Sequence, residues 1–132
     1  MSRIALVTLV VDDYDRAIAF YVGALGFQLL EDTALDATKR WVRVAPRGAD
    51  GMTASGLLLA KADGVRQAAR IGDQTGGRVG FFLETDDFAR DHAAFLAAGV
   101  TFREAPRVEA YGTVAVFADP FGNLWDLIEP SR

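Results

Sequence analysis

The 132-residue chain contains no cysteine and a single histidine, His92. The missing cysteines exclude disulfide bonds, thiolate metal ligands and a cysteine nucleophile. One histidine excludes any triad, metal site or proton relay that needs two. The sequence also lacks a Gly-x-Gly-x-x-Gly or Walker-type loop, so nucleotide binding has no support. No serine lies in a nucleophile elbow, and we do not expect serine hydrolase chemistry.

The chain also lacks a long apolar run and an excess of basic residues. Asp12 and Asp13 interrupt the first apolar segment too early for a signal peptide or a membrane span, so we expect a soluble cytoplasmic protein. The formal net charge is −4, which argues against a nucleic-acid partner. With 51% hydrophobic residues, a chain of this length buries roughly two-thirds of its unfolded surface and can fold without disulfide or metal cross-links.

The first half of the sequence predicts a strand, a helix and further strands. A β-branched apolar run at 4–11 predicts a buried strand that stops at Asp12 and Asp13, and these acids cap the following helix. One apolar stripe at helical spacing contains Tyr14, Ala17, Ile18, Tyr21 and Leu25. Gly26 is placed to end the helix in a left-handed conformation. Strand character returns at 27–30, 40–44 and 56–60.

The second half repeats this order. A strand at 78–84 precedes the cap Asp86-Asp87, and strand character returns at 100–102, 113–117 and 124–128 after Gly99. The second helix stripe contains Phe88, His92, Phe95 and Leu96. We predict an α+β fold in which two βαβββ modules form curled mixed sheets around a concave pocket. Module one spans 1–62, a polar linker or mobile lid spans 63–77, and module two spans 78–132.

Strand alternation predicts which side chains face away from the helices. If Leu9 packs against the first helix, Thr8 faces the concave side. If Phe81 packs against the second helix, Phe82 faces the concave side. In the last strand, Asp126 lies on one face and its two neighbours lie on the other.

Several short motifs follow one another in a fixed order along the chain. They are Val11-Asp12-Asp13, Ala17-Ile18-Ala19-Phe20-Tyr21, Leu25-Gly26-Phe27, Gly99-Val100 and Asp119-Pro120-Phe121-Gly122-Asn123-Leu124-Trp125-Asp126-Leu127. In this order the sequence resembles the vicinal oxygen chelate superfamily, which includes glyoxalase I, extradiol dioxygenases and bleomycin-resistance proteins. The resemblance covers nearly the whole chain. It implies a glyoxalase/bleomycin resistance/dioxygenase-like fold and a homodimer.

The resemblance also implies a divalent metal held by His or Gln in the first strand, Glu in the fourth, His in the fifth and Glu in the last. The matching positions here are Leu6, Leu57 or Leu58, Gly80 or its neighbour Val79, and Asp126. A shift of the first strand by two residues gives Thr8, a poor metal donor. Only Asp126 can ligate, and one carboxylate does not hold a catalytic metal. We therefore expect no metal cofactor, and we expect His92 to be a structural residue on the face away from the pocket.

The candidate ligand-binding residues are Thr8, Trp41, Phe82, Tyr111, Phe117 and Asp126. Asp126 is either a hydrogen-bonded strand-end carboxylate or an isolated charge with a perturbed pKa. In the second case it orients a cationic ligand or acts as a general base. For the aromatic candidates, core packing or a dimer contact is the alternative role. Strand alternation predicts that the inner face carries either Trp41 or the two arginines, Arg40 and Arg43, but not Trp41 and the arginines together.

Three functions remain open from the sequence. The favoured one is metal-independent binding of a small aromatic or cationic molecule, as the bleomycin-resistance branch of the resemblance implies. The alternative is an enzyme of the lyase, isomerase or dioxygenase type. Such an enzyme is either metal-dependent with non-standard ligands, or it uses Asp126 or Glu84 as an acid/base group. A third function is an interaction or regulatory module.

Overall fold

A computed structural model describes residues 1–48 and 55–132 and shows a mixed α+β fold with two mixed sheets. The chain divides into two compact units, Met1–Ile71 and Gly72–Arg132. Among the described residues, no helix has the length and apolar character needed to cross a membrane. The α+β class and the two sheets confirm the fold predicted from the sequence.

The first unit contains one four-stranded sheet. Its elements are β1 (Leu6–Val11), α1 (Tyr14–Ile18), a π-helical segment (Ala19–Ala24), β2 (Gln28–Ala34), β3 (Arg40–Ala45), β4 (Gly56–Lys61) and α2 (Val65–Ala68). The strand order is β1-β4-β3-β2. β1 lies parallel to β4, whereas β3 is antiparallel to both of its neighbours.

The second unit contains a five-stranded sheet. Its elements are β5 (Phe81–Glu84), α3 (Phe88–Ala97), β6 (Thr101–Phe102), β7 (Arg107–Glu109), β8 (Gly112–Ala118) and β9 (Leu124–Pro130). The strand order is β5-β9-β8-β6, and β7 also pairs with β8. As in the first unit, the first strand lies parallel to the last, and the other pairs are antiparallel. The two halves therefore share one βαβββ topology, in which β6 and β7 of the second unit together take the place of β2 in the first.

The predicted helix caps and stops are present in both units. The Oδ1 of Asp13 accepts a hydrogen bond from the Arg16 backbone N–H at 2.8 Å, which caps α1. Asp87 accepts the equivalent bond from Arg90 at 3.0 Å and caps α3. Both helical segments are followed by a left-handed glycine, with φ of 76° at Gly26 and 87° at Gly99.

The first helical segment differs from a regular α-helix. After α1 the chain widens into π-helical turns, in which the Leu25 N–H donates to the Phe20 carbonyl at 2.9 Å. Ala17, Tyr21 and Leu25 are all buried. Their spacing of four residues keeps them on one face in an α-helix and in the wider turn alike, so the stripe does not distinguish the two.

Some strand limits also differ from the prediction. β2 continues to Ala34, beyond the predicted end, and the strand expected from position 78 begins only at Phe81. β7 was not predicted, because Arg107-Val108-Glu109 is short and mostly charged. Its strand conformation comes from pairing with β8.

Candidate functional site

One face of the second sheet packs on α3 through aromatic rings. The Phe81 and Trp125 rings stack with centroids 4.6 Å apart, and the Phe117 ring lies 5.9 Å from Trp125 and 5.7 Å from Phe95 of α3. Phe117 is fully buried in this stack. Its contacts match the core-packing alternative, so we leave Phe117 out of the candidate site.

We call the opposite side of each sheet, away from the unit's helix, the helix-distal face. In the second unit, Phe82 of β5 pairs with Asp126 of β9, which pairs with Val116 of β8. Residues paired in this way share a face of the sheet, so these three form one row. Phe82 is 67% exposed, whereas Phe81 lies in the aromatic stack. The alternation predicted for this strand is therefore confirmed.

Asp126 is a polar group without a partner in this row. Its Oδ1 is buried and accepts no hydrogen bond from any residue that the structure describes. Burial raises the pKa of the Asp126 carboxyl; the nearby Arg107 charge opposes this shift and the Glu104 charge adds to it. A carboxylate in this position attracts any cation or hydrogen-bond donor that reaches it.

Charged side chains next to Asp126 form a network centred on Arg107. Its guanidinium donates to Glu104 at 2.7 Å and to Glu109 at 3.0 Å, and it also bonds the Tyr111 side chain. The other oxygen of Glu104 accepts the Val116 N–H at 3.1 Å. Three carboxylates, including Asp126, therefore face one guanidinium. The sequence does not single out Glu104 or Arg107, because their position next to Asp126 depends on the β7–β8 pairing.

The helix-distal face of the first unit contains Thr8, Leu58 and Arg43, which are paired across β1, β4 and β3. Trp41 lies two residues before Arg43 and shares this face. Arg40 points to the opposite side, where its guanidinium lies 5.1 Å from the Tyr14 ring centroid of α1. The expectation that Trp41 and the two arginines lie on opposite faces is therefore wrong for Arg43, because positions 41 and 43 have the same parity in the strand and position 40 has the opposite one.

The candidate residues thus lie in two sets. Phe82, Tyr111 and Asp126 lie in the second unit, and Thr8 and Trp41 lie in the first. His92 belongs to neither set. Its ring lies in α3, with centroids 5.3 Å from Phe88 and 4.5 Å from Phe102, which agrees with the structural role expected for it.

We expect Asp126→Asn to raise the thermal stability of the protein at pH 7. Because the folded-state pKa is raised above the ordinary value of 3.8, the ionised carboxylate disfavours folding above the folded pKa. The gain in the variant is on the order of 2 °C in Tm, or about 0.5 kcal/mol after allowance for solvent screening. It should shrink as the pH falls through the folded pKa toward 3.8. Calorimetric scans at several pH values test this, and an equal gain at every pH would contradict it.

The donor set does not fit the metal that the family resemblance implies. At the positions that match the family's metal ligands, only Asp126 offers a ligating atom. Across residues 1–48 and 55–132, no group of three or more His, Asp or Glu side chains is arranged to hold a metal ion.

Comparisons with known proteins give consistent results. A family model of the Glyoxalase/Bleomycin resistance protein/Dioxygenase superfamily matches residues 3–127. An uncharacterized protein of Shewanella frigidimarina (strain NCIMB 400) is 50% identical over 97% of this chain and 93% of its own length. The crystal structure of UcmS2 is similar with a TM-score of 0.82 and 30% identity, covering 97% of this chain and 98% of that one. TnmS3, an antibiotic binding protein from Streptomyces sp. CB03234, has a TM-score of 0.77 and 33% identity, covering 99% and 98%.

Proposed function

The chain belongs to the glyoxalase/bleomycin resistance protein/dioxygenase superfamily, and from this premise we propose that it binds a small aromatic, cationic molecule without a metal. The proposed contacts are Phe82, Tyr111 and Asp126 in the second unit. A homodimer, which the family resemblance implies, is part of the proposal. The antibiotic-binding description of TnmS3 supports a binding role of this kind.

The observation that carries the proposal is the buried Asp126 Oδ1 without a hydrogen-bond partner among the described residues. A buried acceptor left unpaired costs roughly 1–3 kcal/mol, and a ligand N–H that reaches it recovers this free energy. Binding sites often retain an unfavourable polar group of this kind in the free protein, because a residue that favours binding need not favour folding.

The neighbouring groups support a ligand that is both aromatic and positively charged. Phe82 offers a ring that is 67% exposed, and Tyr111 is 54% exposed. Exposed aromatic rings can stack on a planar ligand and can attract a cation to their faces. The excess of carboxylates around Arg107 gives the same surface a negative potential, which favours cations.

Titration with proflavine, a planar aromatic cation, tests the proposal by fluorescence anisotropy. We expect saturable binding to the wild-type protein. Asp126→Asn should raise the Kd about tenfold or more, because the ligand cation then meets a neutral amide oxygen and no longer a charged carboxylate. Phe82→Ala should raise it about threefold to tenfold through lost stacking.

The matched control is Asp73→Asn, which removes an exposed carboxylate from the same unit. Its Kd should equal that of the wild type, because it changes the net charge by the same amount elsewhere. Absence of saturable binding for proflavine, ethidium and methylene blue would contradict the proposal. So would equal Kd values for the Asp126 and Asp73 variants.

An acid–base enzyme is the second candidate, favoured by the raised pKa of Asp126. A carboxyl with a raised pKa is closer to the range useful for proton transfer at neutral pH. The two functions differ in what happens to a bound molecule. A binding protein returns its ligand unchanged, whereas the enzyme would exchange or remove a proton, a reaction that Asp126→Asn would abolish.

A further inference from the structure

Arg43 occupies a central position on the helix-distal face of the first sheet. It lies on β3, an interior strand, in the row that also contains Thr8 and Leu58. This row corresponds to Phe82, Asp126 and Val116 in the second unit, because both rows cross the first, last and next-to-last strands of the same topology. The Arg43 Nε and the Asp126 Oδ1 are the buried side-chain atoms without hydrogen bonds among the described residues.

The residues that the structure describes offer the Arg43 guanidinium few hydrogen bonds. Its Nε lies 3.4 Å from Glu31 Oε1, longer than the 2.7–2.9 Å typical of a charge-assisted hydrogen bond, and its side chain is 33% exposed. The bulge between Leu29 and Glu31 in edge strand β2 is what brings Glu31 opposite Arg43. The other Glu31 oxygen accepts the Thr33 hydroxyl at 3.2 Å. Glu31 is therefore a loosely held counter-ion that a better acceptor can displace.

Two apolar side chains neighbour Arg43 on the same face of the sheet. Trp41 lies two residues away along β3, and Leu58 lies next to Arg43 on β4. Both are half-buried, so each offers apolar surface beside the charge. An arginine fork next to an indole ring and an aliphatic side chain suits a planar ring that bears a carboxylate.

We propose that the helix-distal face of the first unit binds an aromatic carboxylate, with Arg43 as the hydrogen-bond donor to the carboxylate and Trp41 as the stacking surface for the ring. The Arg43 N–H groups replace the long contact with Glu31 by short bonds to the ligand. This site lies within the first unit alone and uses no residue of the Asp126 row. The result of its test therefore does not depend on the cation site proposed above.

Calorimetric titration with 2-naphthoate tests the site, and its neutral isostere 2-naphthamide serves as the ligand control. Wild-type protein should bind 2-naphthoate at one site and bind 2-naphthamide at least tenfold more weakly. Arg43→Gln should weaken 2-naphthoate binding about tenfold or more, and Arg43→Lys should weaken it less, because it keeps the charge but loses the fork. Arg66→Gln removes an exposed arginine from the same unit and should leave the Kd unchanged.

Glu31→Gln distinguishes this site from a purely structural ion pair. Removal of the competing carboxylate should tighten 2-naphthoate binding about twofold to fivefold, whereas a structural pair predicts no gain. In ¹⁵N spectra, the indole N–H signal of Trp41 should shift on titration and that of the buried Trp125 should not. No binding of 2-naphthoate at millimolar concentration overturns the proposal. Equal Kd values for wild type, Arg43→Gln and Glu31→Gln also overturn it.

Discussion

Phe117→Ala should lower the free energy of unfolding by about 3–5 kcal/mol, as expected for the truncation of a fully buried aromatic residue. The Phe117 ring is 0% exposed and has neighbouring ring centroids at 5.6 Å in Phe102 and 5.9 Å in Trp125. Truncation leaves a cavity in the middle of the stack that joins α3 to the sheet. Chemical denaturation by urea, followed by circular dichroism, measures the loss.

Phe82→Ala is the matched control for this prediction. Phe82 lies in the same sheet and was also a candidate for ligand contact, but it is 67% exposed. We expect a loss of less than about 1 kcal/mol, from strand propensity alone. If Phe117→Ala instead cost as little as Phe82→Ala and weakened proflavine binding, Phe117 would belong to the ligand site and not to the core.

The contrast between these two rings shows which part of the site could be predicted from the sequence. Alternation within β5 predicted that Phe81 and Phe82 face opposite ways, because the strand is regular and its period is two. The same rule separates Phe117 from Val116 in β8. The sequence alone did not fix which of these two faces α3, since both side chains are apolar.

Local signals were the most reliable part of the sequence interpretation. Asp13 and Gly26 act within one or two turns of the chain, through a cap bond at 2.8 Å and a left-handed φ of 76°, so their roles follow from their neighbours in sequence. The π-helical segment was not predictable in this way. Its buried residues keep a spacing of four that fits either kind of helix.

The charged surroundings of the two candidate sites depend on long-range pairing. Glu104 reaches the Asp126 row because its carboxylate accepts the N–H of Val116, twelve residues away in sequence. Glu31 reaches Arg43 only because a bulge shifts the register of β2. Neither contact leaves a pattern in the sequence, since register shifts and hairpin pairings are set by tertiary packing.

Both helix-distal faces share one physical feature, which the sequence suggested for Asp126 but not for Arg43. Each has a buried atom of a charged group that makes no hydrogen bond with the described residues, a donor Nε in one unit and an acceptor Oδ1 in the other. Each such atom is a cost to folding that a ligand of opposite charge can offset. The two proposals above therefore predict opposite ligand charges for topologically equivalent rows, and each can be tested with the other site intact.

Asp119→Ala should destabilise the protein by about 3 kcal/mol or more, with a fall in Tm on the order of 10 °C. Asp119 is 5% exposed and begins the turn between β8 and β9. Its Oδ1 accepts the backbone N–H groups of Phe121 at 2.9 Å and Asn123 at 2.8 Å, and its Oδ2 accepts the Asn123 side-chain amide at 2.7 Å. Removal of the carboxylate leaves three donors without this acceptor, in a turn whose first and last residues, Asp119 and Asn123, are buried.

Asp36→Ala is the control, because Asp36 makes the same kind of turn in solvent. Its Oδ1 accepts the N–H groups of Thr38 and Lys39, both at 2.8 Å, but all three residues are exposed, so water replaces the lost bonds. Differential scanning calorimetry should show a small change for Asp36→Ala and a large one for Asp119→Ala. Similar small changes in both would mean that the Asp119 turn is solvated in solution. In that case the stability of the turn before β9 would not explain the Asp-Pro-Phe-Gly-Asn motif.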